Sequence, residues 1–293
     1  MDPIHVTPFL EWLGSALSNP ENVSWFQALI AGAIGAWAGS WATQRTINRH
    51  ENLKQAQAEL RAINHAINLC FTITNHYLGY KKQMTLPMQQ RYRQTEEAVK
   101  NQMATGGGEV LLEADFLILP TVDLPVPHLE RILIEQISMS GRGLVAAMQL
   151  RGVNQSLHHS LVERRQLIGA VQGANISPKR LSEFYLALPD AQGNVDSRFR
   201  DNVGAIVLQT DDCIFFSTLI AKDLHAHGRR LLRKHGWRLG SERKNLTTWN
   251  WNEDGEGLMP KDDEYQAWLK GFADPRPWWK FWGASSPPTS QVT

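Results

Sequence analysis

Asp212, Asp223 and His227 are the residues whose types and spacing come closest to a catalytic or metal-binding set. Their separations of eleven and four positions place them on one face of a helix, where carboxylate and imidazole groups hold metals in di-iron bundles. Those bundles take a Glu-x-x-His unit from each of two helices, and the long predicted helices contain none. The pattern therefore favours exposed or locally paired side chains, with a metal-dependent helical-bundle enzyme as an alternative.

The other histidines and the glycine run give no recognised site. His65 and His76 share a helical face, and His158 and His159 are adjacent, but neither pair has a metal-ligand spacing such as H-E-x-x-H. The run 106–108 lacks the preceding strand and the lysine of a phosphate loop. We expect surface histidines and a flexible turn here, and we predict no catalytic residue, metal or cofactor.

A run of basic residues follows Asp223 on the same predicted helix. Between His225 and Lys244 the cations are opposed only by Glu242, and they are Arg229, Arg230, Arg233, Lys234, Arg238, Arg243 and Lys244. Such a cluster can bind anionic lipid or, as a less favoured partner, nucleic acid. The alternative is a cationic helix C-terminus, which the helix dipole favours by itself.

The region 236–283 is basic and rich in tryptophan. Its last aromatic run, Pro277-Trp278-Trp279-Lys280-Phe281-Trp282, has the composition of an interfacial membrane anchor. Packing of the region's tryptophans, including Trp249 and Trp268, against the bundle or a neighbouring subunit is the alternative. Residues 284–293 are predicted to form a disordered tail.

The N-terminal part of the chain contains a segment that could anchor the basic run and the tryptophan-rich region at a membrane. Residues 23–42 read VSWFQALIAGAIGAWAGSWA, which is uncharged and long enough to cross a bilayer. Trp25 and Trp41 stand at its two ends, as interfacial anchors do. Three cations follow the segment and none precedes it: Arg45, Arg49 and Lys54. The charge asymmetry predicts a short outward-facing segment 1–22 and a cytoplasmic C-terminal domain.

The same segment carries small residues at four-residue spacing. They form two adjacent stripes, which include Ala31, Gly32, Gly35, Ala36, Gly39 and Ser40. Small residues at this spacing let helix backbones approach closely, so we predict that the segment assembles into a homo-oligomer. A cleaved signal peptide and a buried soluble helix are the two alternatives for this segment.

The body of the chain, 44–235, has the pattern of an all-α bundle. Two seams alternate steps of three and four residues: Leu53, Ala56, Leu60, Ile63, Ile67, Cys70, Thr74 and Tyr77, then Val203, Ile206, Thr210, Cys213, Ser217, Ile220, Leu224, His227 and Leu231. We predict that a transmembrane helix 23–43 continues into a long helix of an antiparallel coiled-coil-like bundle. A second helix is expected from Pro87 to about Ala104, and a divided third helix from Pro127 to Gly173.

Composition is compatible with this fold and excludes global disorder. The chain has 293 residues, is 42% hydrophobic and 20% charged, and has a formal net charge of +1. Its two cysteines favour buried thiols over a disulfide framework. The sequence therefore favours a non-enzymatic role: an oligomeric single-pass protein of a bacterial-type inner membrane with a sensor or scaffold bundle. Pore formation or depolarisation in a defence or stress response is one version of that role.

Overall fold

The computed structural model describes residues 20–105, 112, 114–174, 176–236, 238–239, 246–250 and 253–272; of residues 20–30, 253 and 254 it describes the backbone alone. It divides into two units, Met1–Gln57 and Ala58–Thr293. The described residues are helical or irregular, and the one β-pairing among them is an isolated bridge between Pro189 and Val195. The predicted all-α class is confirmed.

The helices follow the order that the sequence predicts. They are α1 (Pro20–Tyr80), a π-helical segment (Lys81–Thr85), α2 (Leu86–Ala104), α3 (Val126–Glu135), α4 (Arg142–Gly173), α5 (Pro178–Leu186), α6 (Arg198–His235), α7 (Glu253–Leu258), a 3-10 turn (Asp262–Tyr265) and α8 (Gln266–Lys270). The Ser177 hydroxyl caps α5 by accepting a hydrogen bond from the Arg180 N–H, and Pro178 occupies its first turn.

The junction of α1 and α2 differs from the prediction of a second helix that begins at Pro87. The α-helix ends at Tyr80, and the chain stays helical through the π segment. The Leu86 N–H donates to the Lys81 carbonyl five residues back, as a π turn requires. Pro87 lacks an N–H and its ring crowds the preceding turn, so wider helical turns are the local solution.

The third predicted helix is interrupted before Arg142, and Gly141 has a φ of +79° that favours glycine. Beyond the interruption, Met148 on α4 is 52% exposed. Ala146, Ala147 and Leu150 are buried instead. Small residues therefore form this part of the contact, which a search for large apolar residues overlooks.

The core of unit Ala58–Thr293 contains both predicted seams. From Leu60 onward the first seam is buried, and so is the second seam up to Leu224. Helices α1 and α6 run antiparallel, because three contacts pair rising positions on α6 with falling positions on α1 and on the π segment that continues it. They are Lys81 to Asp211 at 2.6 Å, Thr74 to Ser217 at 2.8 Å and Glu59 to His227 at 2.9 Å. A helical bundle is thus established, and its coiled-coil character stays a prediction.

A buried cation fixes the extended connector between α2 and α3. Arg164 on α4 is 1% exposed, and burial lowers the pKa of its guanidinium. The guanidinium donates to the carbonyls of Asp115 and Leu117 and lies 5.0 Å from the centre of the Phe199 ring. These contacts satisfy connector carbonyls that no helix ladder reaches.

Candidate functional site

The first described stretch of α1 side chains, residues 31–50, is exposed throughout. It includes large apolar residues: Ile34 is 61% exposed, Trp37 72% and Trp41 57%. A helix in water normally exposes a polar face and buries an apolar one. No described residue covers a face of this stretch, so its apolar side chains are exposed on every side.

The six predicted assembly residues all lie in this exposed stretch: Ala31, Gly32, Gly35, Ala36, Gly39 and Ser40. A Cβ added at any of the three glycines would meet no atom within 4 Å. The Thr43 hydroxyl donates to the Gly39 carbonyl at 2.8 Å, and the Arg45 guanidinium lies over the Trp41 ring at 5.2 Å. The polar groups here are therefore satisfied locally, while the small residues leave the backbone open to approach.

Membrane-spanning character can be judged from length and mean hydropathy. Among the described residues, α6 is the one helix long and apolar enough to cross a bilayer, but 61% of its most apolar window is buried, as in the core helix of a soluble protein. Helix α1, which contains the predicted span 23–43, does not meet this criterion over its described residues. The side chain of Trp25 lies outside the described residues, and the span stays a prediction.

The predicted anionic-ligand residues lie at the C-terminal end of α6. Arg229, Arg230, Arg233 and Lys234 are exposed, and none of them forms an ion pair within the described part of the chain. We call these four residues the basic face. Arg238 is exposed as well, but it already has an interaction within the chain. Arg243 and Lys244 lie outside the described residues.

Asp223 and His227 do not meet at a common site. The Asp223 carboxylate accepts two hydrogen bonds from the Arg142 guanidinium of α4. The His227 ring lies 2.9 Å from the Glu59 carboxylate of α1, and Asp212 accepts a hydrogen bond from the Tyr265 hydroxyl. Each candidate therefore has its own partner on a different element of the fold.

The Glu59 carboxylate connects three segments of the bundle, and the sequence did not indicate this role. One carboxylate oxygen accepts hydrogen bonds from the Ser138 backbone N–H at 2.8 Å and from its hydroxyl at 2.6 Å, besides facing His227. Burial alone would raise the pKa of Glu59, but the hydrogen bonds from Ser138 and His227 lower it below its ordinary value. The carboxylate links α1, the loop before α4 and α6, which are far apart in sequence.

The four histidines of the two pairs considered in the sequence lie on the surface. His65, His76, His158 and His159 are all exposed. Within the ranges that the structure describes, no three His, Cys, Asp or Glu side chains come together as a metal site would require. The glycine run 106–108 lies outside those ranges.

Two tryptophans of the C-terminal region pack against the bundle. The Trp249 ring meets His225 edge to face at 5.9 Å, and Trp268 lies 5.2 Å from Phe216. The Tyr265 ring stacks on the Phe215 ring of α6, with 3.6 Å between the ring centres. Packing thus accounts for this part of the region. Trp278, Trp279 and Trp282, the predicted interfacial anchors, and the predicted tail 284–293 lie outside the described residues.

Comparison with known proteins gave no match to a family model, a curated protein or a solved structure. The exposed stretch of α1 and the basic face of α6 are the two surfaces that indicate a function.

Proposed function

We propose that this protein is a membrane-anchored helical scaffold: residues 23–43 cross a bilayer, and the bundle of residues 58–272 stands on the cytoplasmic side. The observation that carries the proposal is the exposed stretch 31–50, where no described residue covers the large apolar side chains of Ile34 and Trp37. Burial of each large apolar side chain is worth about 1.5–3 kcal/mol, so a partner for this stretch is strongly favoured. Hydrocarbon can surround a helix on every side, which matches residues 31–42, where no side chain is charged.

The charge distribution supports the orientation. Arg45, Arg49 and Lys54 follow the apolar stretch and are exposed. Cations concentrated on one flank of a span retain that flank in the cytoplasm. The 30 residues before position 31 contain three acids and no Lys or Arg, so nothing there opposes export of the short N-terminus.

Self-association of the anchor is part of the proposal. Lipid solvates apolar side chains well, so membrane helices associate through close backbone packing rather than hydrophobic burial. The open space at Gly32, Gly35 and Gly39 permits such packing by a second copy. The modest hydropathy of the segment fits a helix partly covered by its own copies.

Membrane extraction and cross-linking test both parts of this proposal. The full chain is expressed in a bacterial host, its membranes are washed with alkaline carbonate, and Gly39→Cys is oxidised. We expect the chain to stay in the pellet and the cysteine to form cross-linked dimers. Trp37→Cys, on the face with large residues, is the matched control and should cross-link less. Release of the chain by carbonate would contradict the membrane anchor. Equal cross-linking at both positions would contradict a specific assembly face.

A further inference from the structure

The basic face of α6 is longer than the helix dipole explains. Arg233 and Lys234 lie in the last turn, where the dipole favours cations. Arg229 and Arg230 lie a turn earlier, and the dipole's effect falls off within the last turn. A separate reason is needed for the first two cations.

The basic face also carries an internal cost. Arg229 lies four residues before Arg233, and Arg230 four residues before Lys234, so like charges are neighbours on the helix surface and destabilise it. The exposed residues one and two turns earlier on this face are Ala226 and Lys222, which add no acid. An anionic ligand would relieve this repulsion.

The position of the basic face within its unit indicates which anion it meets. His227 contacts Glu59, and a Cβ on Gly228 would lie 3.4 Å from Ile63. The face therefore lies at the end of the bundle where the unit begins, at Ala58. Only residues 44–57 separate that point from the predicted span, so the chain tethers the face to the membrane at a high effective concentration.

We propose that the basic face binds the anionic headgroups of the cytoplasmic leaflet. This inference rests on the proposed membrane anchor and adds a lipid partner to it. Each Lys or Arg near an anionic surface strengthens binding roughly fivefold, so a tethered cluster of cations can engage it although each contact is weak. The attraction is confined to about a Debye length and is therefore sensitive to salt.

Fluorescence in nanodiscs tests the inference with the full chain. Ala226→Cys, exposed on the same helix face, carries a fluorophore, and the discs contain phosphatidylcholine alone or with phosphatidylglycerol plus a headgroup quencher. We expect quenching that rises with phosphatidylglycerol and is reversed by salt. The control label is Leu208→Cys, which shares the helix face but lies about 27 Å farther along α6. That label should not respond.

Matched charge variants identify the residues responsible. The basic-face variant carries Arg229→Gln, Arg230→Gln, Arg233→Gln and Lys234→Gln, and it should need several times more phosphatidylglycerol for half-maximal quenching. The control variant removes four exposed cations elsewhere, with Arg93→Gln, Arg165→Gln, Lys179→Gln and Arg180→Gln. It has the same net charge and should behave as the unmodified chain.

The possible failures are distinguishable. A chain that resists carbonate extraction but shows no dependence on phosphatidylglycerol, or equal loss in both variants, would overturn the lipid contact alone. Salt-sensitive binding of an oligonucleotide that disappears in the basic-face variant, without any lipid effect, would overturn it in favour of nucleic acid. Release by carbonate would overturn the anchor and this inference together.

Discussion

Two stretches of the same helix, residues 31–50 and 58–80 of α1, have opposite surroundings. In the second stretch buried and exposed positions alternate with helical period, and Ile63, Ile67 and Cys70 are fully buried. In the first stretch every side chain is exposed, including Ile34 and Trp37. Apolar residues therefore occur in both, but among the described residues only the second stretch packs them against protein partners.

The two stretches differ in what surrounds the helix and not in whether the helix forms. Both stretches satisfy their backbone hydrogen bonds internally, so neither needs its partner to be helical. The second is stabilised by a core that the chain itself supplies. For the first, no described residue supplies such a core, and a bilayer or further copies of the helix are the partners proposed above. Substitutions in the two stretches should consequently affect different measurements.

The largest expected effect is in the core stretch. Ile67→Ala should lower the free energy of unfolding of the bundle by about 2–5 kcal/mol, because it leaves a cavity at a site with no exposure. Thermal unfolding of the detergent-solubilised chain measures the change. Ile47→Ala, in the exposed stretch, is the control and should change stability by less than about 0.5 kcal/mol. Similar losses of stability at both positions would contradict the proposed difference between the buried and the exposed stretch.

The reverse result is expected for membrane integration. Ile34→Asp places a carboxylate within the predicted span and should cost about 2.5–3.5 kcal/mol of insertion free energy. The fraction of chain that resists carbonate extraction should fall, whereas Ile47→Asp, beyond the span, should leave it unchanged. A chain with Ile34→Asp that remains fully membrane-bound would argue against the span.

The contribution of the Glu59 carboxylate to the stability of the bundle can be tested by varying the pH. Because the folded-state pKa of Glu59 is lowered, its stabilisation is present above the ordinary pKa and is lost as pH falls through the folded value. Glu59→Gln should therefore cost about 1–3 kcal/mol at neutral pH, and the difference should shrink below roughly pH 4. Unfolding curves across acid pH give the measurement. Glu97→Gln, at an exposed site, is the control, and a cost independent of pH would contradict the charge-based explanation.

The smallest effect on folding is expected at the open glycines. Gly35→Leu and Gly39→Leu meet no neighbouring atom, so the stability of the bundle should change by less than about 0.5 kcal/mol. Self-association in detergent or bilayer should weaken severalfold, because bulky side chains separate the helix backbones. Sedimentation or cross-linking yields compare these variants with Ile34→Leu. Unchanged association would remove the small-residue face from the proposal.

The sequence predicted those parts of the structure that follow a helical period. The seams through Ile67 and Ile220 were correct because large apolar residues recur every three or four positions. The buried Ala146 and Ala147 were missed because small residues give a weak periodic signal.

Long-range polar contacts have no periodic signal at all. Glu59, Ser138 and His227 meet only after three distant segments pack together. The pairing of Arg142 with Asp223 likewise joins two distant segments. It gives Asp223, which was a candidate metal ligand, a partner that the sequence did not indicate. The basic face was visible as a run of charges, but its place at the end of the bundle near Ala58 required the contacts of α6 with α1.

The environment of residues 31–50 in a bilayer tests the central claim most directly. Spin labels are placed one at a time on cysteines along this stretch of the reconstituted full chain, and Cys70 and Cys213 are buried and so give little background. Collision rates with oxygen and with a water-soluble nickel complex report depth. The account predicts that oxygen dominates from residue 31 to about 42 and that the nickel complex dominates from about 46 to 50. Access of the nickel complex along the whole stretch would contradict it.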